Sequence, residues 1–290
     1  MKLSNPFFKI NEHKKNITSQ YGEDGIIEFL LKTSKKNIHS NCVEFGAHDG
    51  TKNSNTYNLW RNKGFNCVLV EGDKNRFNVL KDKFKKFNNV IPVNEYVSFG
   101  ENNSIEAILN SSNSFPPEEV GVLSIDIDSY DYYIFNNLSI KPQLIVIEFN
   151  NSIPGHIDYS DPEDELFLRC SAKAIQNLGF KKGYYTVCCT VTNCILIRYD
   201  CFNPDLHPNL PVEFLLDYDG MNLSNDHLYS VIHSQLVTAK PVFTKPLNKL
   251  DYFFFNISRF LMSKLGLRTE KFLSPSDKIK KALKKANLYI

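Results

Sequence analysis

The sequence lacks the apolar segments that mark secreted and membrane-spanning proteins. Residues 1–15 contain no unbroken apolar run of the kind found in a signal peptide. No stretch approaches the roughly 18 consecutive apolar residues that a membrane-spanning helix needs. The seven cysteines form no CxxC pair, and several lie inside apolar runs, which favours buried thiols over disulfides or metal ligands. We therefore predict a protein of the reducing cytoplasm.

The sequence also has little net charge, +2 over 290 residues, but that charge is unevenly distributed. From Lys240 onward, 12 lysines and arginines stand against three acids, whereas the preceding part has 22 basic and 29 acidic residues. A nucleic-acid backbone is bound through clustered basic side chains, which the acidic body does not provide. We predict no nucleic-acid partner for the body and consider the basic tail separately.

The basic tail, residues 247–290, has the pattern of two amphipathic helices, over 247–265 and 277–287. Its lysines are typical of a solvated helix face. Alternatively, the apolar clusters at 253–255 and 260–261, with their basic neighbours, favour peripheral contact with an anionic surface at the inner membrane face, or with a protein partner. The pattern leaves both interpretations open.

Short apolar runs alternate with amphipathic segments through the first two thirds of the chain. Runs rich in Val, Ile, Leu and Phe are typical of strands buried on both faces, and we predict them at 42–45, 67–70, 90–93, 122–127 and 144–149. Helices are predicted between and after them, at 55–62, 74–87, 104–110, 131–138 and 164–178. Residues 182–190 and 192–199 have the pattern of a strand hairpin. The alternation predicts an α/β fold with a doubly wound, mostly parallel, Rossmann-like sheet closed by an antiparallel hairpin, which resembles the class I methyltransferase fold.

A glycine-containing turn, EFGAHDG over residues 44–50, follows the first predicted strand. Glycine lets the backbone turn sharply and approach a ligand closely. The turn lacks the GxGxxG spacing of pyrophosphate-binding loops. The second predicted strand ends in Glu71, whose carboxylate can accept the hydrogens of a ribose diol. Together the two features predict a nucleoside-type cofactor, although Gly46 and Gly50 alone are equally typical of a simple tight turn.

Three segments of the chain resemble motifs of FkbM-type methyltransferases, which belong to the class I group that depends on S-adenosylmethionine. They are CVEFGAHDG followed by SNT, over 42–56, LVEGD over 69–73, and LSIDIDSYD over 123–131. SQYGED, over 19–24, resembles a lead-in found among relatives of the family. The chain departs from the family pattern at Ser124, where many relatives have Lys, and at Ser129, where they have Gly.

The resemblance implies a role in binding S-adenosylmethionine for several residues. Glu44, Gly46 and Ala47 are expected at its methionine end, Glu71 at the ribose, and Asn94 near the adenine. The remaining candidates for this site are Ser54, Asn55, Thr56 and Asp126. The implied division of the chain is a helical lead-in over 1–40, the cofactor-binding domain over 41–202, packed loops near the acceptor over 203–246, and the basic helical extension over 247–290.

Acidic and histidine side chains are predicted to gather at the carboxyl ends of the strands, where such sheets bind ligands. A hydroxyl acceptor needs a base within hydrogen-bond reach, and Asp128, His48 and His156 are the catalytic candidates. Asp128 is equally suited to capping the next helix. Alternatively, Asp126, Asp128, Asn150 and Asn151 supply oxygen ligands for Mg²⁺. We expect no metal, because the family does not generally require one.

The expected activity is methyl transfer to a hydroxyl of a sugar, a glycan or another small acceptor, consistent with polysaccharide biosynthesis. The chain lacks the N/D-P-P-Y-like motif expected of enzymes that methylate nucleic-acid bases. The alternatives are a Mg²⁺-dependent sugar O-methyltransferase and a non-catalytic scaffold that uses the basic tail. A homo-oligomer is compatible with all three interpretations.

Overall fold

The computed structural model describes residues 10–98, 103–128, 130–163, 168–217 and Met221. Six α-helices and seven strands lie wholly within these residues. The helices are α1 (Glu23–Thr33), α2 (Tyr57–Asn62), α3 (Lys74–Phe84), α4 (Ile105–Ser112), α5 (Asp131–Asn137) and α6 (Ala172–Lys182). The strands are β1 (Asn41–Phe45), β2 (Asn66–Val70), β3 (Val90–Val93), β4 (Val122–Ile125), β5 (Leu144–Glu148), β6 (Tyr184–Cys189) and β7 (Asn193–Arg198). The predicted helices over 247–265 and 277–287, like Ser129, lie outside the described residues.

The seven strands form one sheet in the order β3-β2-β1-β4-β5-β7-β6. Strands β1 to β5 run parallel, and β7 pairs antiparallel with both β5 and β6. The predicted architecture is confirmed: a mostly parallel doubly wound sheet closed by an antiparallel hairpin. The order reverses direction between β1 and β4, and this reversal opens a crevice at the carboxyl ends of the strands, where ligands bind in such folds.

The chain divides into two compact units. The first comprises residues 1–149 and 155–217 and contains the whole sheet. The second comprises 150–154 and 218–290, of which the structure describes 150–154 and Met221. Within the first unit, α1 contributes Ile26, Ile27 and Leu30 to the same core as the strands. The predicted boundaries at 40, 202 and 246 stay predictions.

The strands lie where the apolar runs predicted them. Both faces of the sheet are covered, so consecutive residues of a strand are apolar. Every residue of β1 and β4 is buried, which is why these strands show no polar alternation in the sequence. All seven cysteines are free and buried, as the apolar context of several of them indicated. No helix among the described residues is long and apolar enough to span a membrane.

Several predicted element boundaries are wrong by one to three residues, such as the end of α3 at Phe84 rather than at residue 87, and two errors bear on the site. Strand β4 ends at Ile125 rather than at residue 127, so Asp126 begins the loop at the strand tip. The helix predicted over 164–178 runs from Ala172 to Lys182, and Ser171 caps it by accepting the Ala174 N–H at 3.1 Å. The residues just before the cap are not helical, because Asp161 accepts the backbone N–H groups of Leu168 and Arg169 at 2.6–3.0 Å and turns the chain.

The buried His207 is held in its neutral form by two hydrogen bonds. Its Nδ1 accepts the Asn203 N–H at 3.0 Å, so the ring proton lies on Nε2, 2.8 Å from the Thr33 hydroxyl. The Thr33 hydroxyl donates to the Phe29 carbonyl at 2.7 Å, which leaves its oxygen free to accept from Nε2. Burial lowers the pKa of His207 to about 4. A second ring proton would also face the Asn203 N–H, a donor against a donor.

Acidification should therefore destabilise the protein through His207. Between pH 6.5 and about 4 the unfolded chain binds a proton at this histidine that the folded chain excludes. The free energy of unfolding should fall across this window by up to about 3 kcal/mol through this group. Urea denaturation at pH 7, 6 and 5 measures the slope, which His207→Gln should reduce. The matched control is His39→Gln, at an exposed histidine. An equal dependence of the free energy of unfolding on pH in wild type and His207→Gln would contradict the assignment.

Candidate functional site

A cavity of about 870 Å³ lies at the carboxyl ends of β1, β2 and β4. This is the edge where the sheet order reverses. Most of the residues predicted to form the site line this cavity: Glu44, Gly46, Ala47, His48, Ser54, Glu71, Asp126 and Asp128. The lining of this cavity does not include Asn55, Thr56, Asn94 or His156. The structure thus brings together side chains from three strand tips that are up to 84 residues apart in sequence.

The turn after β1 requires glycine at residue 46. Gly46 has φ +68°, a backbone conformation that residues other than glycine seldom adopt. A Cβ atom at this position would lie 1.9 Å from the carbonyl oxygen of Asp126. The backbones after β1 and β4 therefore leave no room for a side chain between them at this point. This contact forms the floor of the cavity.

Glu44 is buried, and its carboxylate holds the loop that follows the turn. It accepts the hydroxyl hydrogens of Ser54 and Thr56, both at 2.6 Å, and the Asn55 N–H at 2.9 Å. Burial raises the pKa of Glu44 against the opposing effect of these hydrogen bonds. The Asn55 amide donates in turn to the Ser124 hydroxyl at 3.1 Å. The SNT segment and Ser124 therefore lock β1 to β4 behind the cavity wall.

Glu71, at the tip of β2, bridges two loops that border the cavity. One carboxylate oxygen accepts the His48 N–H and the other accepts the Asp73 N–H, each at 2.8 Å. Each oxygen keeps a further lone pair for a ligand. Asn94 lies behind this bridge, where its amide donates to the carbonyls of Glu71 at 2.8 Å and Gly72 at 3.1 Å. Asn94 thus shapes the loop after β2, and its predicted position beside an adenine stays a prediction.

Tyr96 is a cavity residue that no sequence motif indicated. Its ring rests on Gly72, where a Cβ atom would lie 2.4 Å from the ring carbon Cδ1. The side chain is 71% exposed and lines the cavity, so one face of the ring is supported and the residue remains accessible. Its position two residues after Asn94, just past β3, follows the same strand-end rule that identified the other candidates.

Three carboxylates converge at the ends of β4 and β5. Single oxygens of Asp126, Asp128 and Glu148 all lie within 4.8 Å of one another. Burial and the neighbouring Asp128 raise the pKa of Asp126 to about 6. Burial and Asp126 raise the pKa of Glu148 well above its ordinary value. A pKa of about 6 suits Asp126 to exchange a proton with an acceptor.

Arg169 is bound directly to this carboxylate cluster. Its Nη1 contacts a Glu148 carboxylate oxygen and lies 3.2 Å from Oδ1 of Asp128. Burial opposes the charge of Arg169, but Glu148, Asp131 and Asp128 outweigh that effect and raise its pKa further. Glu148 was predictable from the sequence as a strand-end acid, whereas Arg169 was missed. A loop arginine 21 residues after Glu148 carries no motif that could have indicated the pairing.

The other residues predicted for catalysis or metal binding have contacts of their own. His48 adopts φ +49°, lines the cavity and donates its backbone N–H to Glu71. His156 lies near enough to Glu213 to help lower the pKa of that side chain, against the opposing effect of burial. Asn150 and Asn151 are buried residues of the second unit, where Asn150 accepts the Ser152 N–H at 2.9 Å.

Replacing Gly46 should be far more damaging than replacing another glycine of similar backbone conformation. Gly64 has φ +76°, but a Cβ atom added there would meet no atom within 4 Å, so Gly64→Ala should lower the free energy of unfolding by only about 1 kcal/mol. Gly46→Ala adds the overlap with the Asp126 carbonyl and should lower it by more than about 3 kcal/mol. Urea denaturation measures both losses, and equal losses would show that the Gly46 contact is not needed.

No protein-family model and no curated protein matches the chain. Among solved structures, it is similar to an S-adenosylmethionine-dependent methyltransferase from Aquifex aeolicus, with 11% identity and a TM-score of 0.38 over 66% of this chain and 96% of the other. A methyltransferase of the same cofactor class from Clostridium acetobutylicum shows 12% identity and a TM-score of 0.37 over 62% and 92% of the chains. A phosphoethanolamine N-methyltransferase from Haemonchus contortus, in complex with S-adenosyl-L-methionine, shows 13% and 0.36 over 62% and 41%. At these scores the likenesses carry no argument, and the fold assignment rests on the strand order.

Proposed function

We propose that the protein is an S-adenosylmethionine-dependent methyltransferase that transfers a methyl group to a hydroxyl of a sugar, a glycan or another small acceptor. One observation carries this proposal. Glu44 and Glu71, at the tips of adjacent strands, flank a cavity whose floor is the side-chain-free bend at Gly46. This combination suits a nucleoside that carries an amino-acid end and no phosphate.

The residues of the cavity fit the parts of this cofactor. The Glu71 carboxylate retains lone pairs for the ribose hydroxyls after accepting its two backbone N–H groups. The supported, exposed ring of Tyr96 provides a flat surface for the adenine. The backbone at Gly46 and Ala47 would border the methionine end. When bound, S-adenosylmethionine supplies an electrophilic methyl group on a positively charged sulfur.

The acidic residues of the chain favour such a cation and can take up the acceptor proton. Acidic residues outnumber the two basic residues of the cavity lining, Lys52 and Arg76; the acids are Glu44, Glu71, Asp73, Glu95, Asp126 and Asp128. Asp128 and His48 line the cavity and are the candidate general bases. Asp126, with a pKa of about 6, joins them, because a base works best when its pKa lies near the working pH. The main task of the protein is to align the acceptor oxygen with the methyl carbon.

The proposal includes an acceptor class and a location in the cell. The acceptor in surface-polysaccharide synthesis and a peripheral position at the inner membrane face derive from the family resemblance and from the basic tail. Both belong to the proposal, as does a homo-oligomeric state. The alternative is a scaffold protein that binds the cofactor but catalyses no methyl transfer.

Cofactor binding should depend on the ring of Tyr96. Calorimetry should detect binding of S-adenosylmethionine and of its demethylated product, S-adenosylhomocysteine. Tyr96→Ala should weaken both about tenfold, since stacking on a base contributes about 1–3 kcal/mol. Tyr96→Phe, the matched control, keeps the ring and should bind as wild type does. Absence of binding to either compound would refute the proposed function, and wild-type affinity in Tyr96→Ala would refute the adenine position.

The acceptor can be found by mass spectrometry. Wild-type protein with S-adenosylmethionine should add about 14 Da to one member of a panel of nucleotide sugars, glycans and small alcohols. With Asp126 as the base, the rate should rise with pH through about 6, because below that value the carboxylate is already protonated and cannot take up the proton of the acceptor hydroxyl. Asp126→Asn should abolish that rise. Cofactor binding without methylation of any acceptor would favour the scaffold.

A further inference from the structure

The carboxylate cluster of Asp126, Asp128 and Glu148 has the composition of a divalent-cation site. Three carboxylate oxygens within 4.8 Å of one another are the type of ligand that Mg²⁺ and Mn²⁺ prefer. A Mg²⁺ site that included two of these acids was left open by the sequence. The structure shows a different cation among them, the guanidinium of Arg169, which contacts Glu148 and Asp128.

Hydrogen bonds within the loop that carries Arg169 fix the position of this residue. The Asp161 carboxylate accepts the Arg169 N–H at 2.6 Å, the Leu168 N–H at 2.9 Å and the Tyr159 hydroxyl hydrogen at 2.8 Å. A bridge between Ser160 and Cys170 pairs the two sides of the loop. Arg169 adopts φ +64°, which is uncommon and costly for a long side chain. The surrounding contacts therefore impose an unfavourable backbone conformation that directs the guanidinium to the acids.

A divalent cation and this guanidinium exclude each other. Nη1 lies on two of the three carboxylates that a metal would need, and its positive charge repels a second cation at the same oxygens. The Arg169 side chain is 25% exposed and that of Glu148 is 12% exposed, so water screens the repulsion only partly at this pair. The Asp128 side chain is 89% exposed, so its pairing with Arg169 is well screened and the exclusion depends mainly on Glu148. The residues present thus do not fit a metal while Arg169 is in place.

We propose that Arg169 is a positioning residue that takes the place of a divalent cation: it holds Glu148 beside the cavity residue Asp128, on the side assigned to the acceptor, and the protein works without a metal. Assignment of these acids to the acceptor side rests on the proposed methyltransferase function. The exclusion of metal by Arg169 does not, because it follows from the contacts alone.

Titration with Mn²⁺, followed by electron paramagnetic resonance, tests the exclusion directly. Wild-type protein and Arg169→Lys should show no specific binding at the carboxylate cluster at millimolar Mn²⁺. Arg169→Gln should bind at least about tenfold more tightly than wild type, because the three carboxylates are then free to ligate. The added Glu148→Gln substitution should abolish this gain.

The matched control is Arg198→Gln, which removes another partly buried arginine from an ion pair, with Asp200 at 2.7 Å, and should gain no Mn²⁺ site. Specific Mn²⁺ binding by wild-type protein that Glu148→Gln removes would overturn the proposal. Equal, weak binding by wild type and a folded Arg169→Gln would also overturn it. Thermal melts show which variants fold, and the wild-type titration decides the question if Arg169→Gln does not.

Activity measurements test the positioning role. Methyl transfer by wild type should be unchanged in excess EDTA, and Arg169→Gln should lose about 100-fold in rate. Added guanidinium ion or Mg²⁺ should restore part of that loss, which a purely structural defect would not allow. Inhibition of wild type by EDTA, or a loss that neither cation relieves, would refute the role. Absence of methyl transfer by wild type would refute the proposed function, while the Mn²⁺ titration would still test the exclusion.

Discussion

The close approach of Gly46 to the carbonyl of Asp126 is the constraint from which the candidate site follows. It joins the carboxyl ends of β1 and β4 at the point where the sheet order reverses. A side chain there would separate the two strand tips and fill the floor of the cavity. The sheet supplies a crevice at this point in any fold of this order. The glycine decides whether backbone or side chain faces the ligand.

The acids at the strand tips each serve the loops around them. The carboxylate of Glu44 is occupied by the SNT segment, and that of Glu71 by two backbone N–H groups. Glu71 retains accepting capacity toward the cavity, whereas Glu44 is largely committed to holding the loop. The same residue type near the ends of two adjacent strands therefore has different roles. This difference depends on which loop donors reach each carboxylate.

The sheet could be predicted well from the sequence because strands buried on both faces appear as short continuous apolar runs. Glu44, Gly46, Glu71 and Asp126 could also be located at one edge, since parallel strands end together. The start of α6 was misplaced, because the hydrogen bonds of Asp161 to residues downstream form only in the folded loop. Arg169 and Tyr96 were missed for a related reason. Their importance derives from what they touch, a carboxylate cluster and a glycine, and no local spacing encodes those contacts.

The charge pairing of the clustered carboxylates depends on the turn around Asp161. Asp161 is not one of the three clustered carboxylates, yet its hydrogen bonds set the backbone that carries Arg169. The positive charge that pairs with these carboxylates belongs to a side chain of the protein, so a chelator or dilution cannot remove it. Its presence is governed instead by the local folding equilibrium of one loop. Inherited or engineered changes at Tyr159 or Asp161 would consequently remove the charge partner of the clustered carboxylates, although they alter only a neighbouring turn.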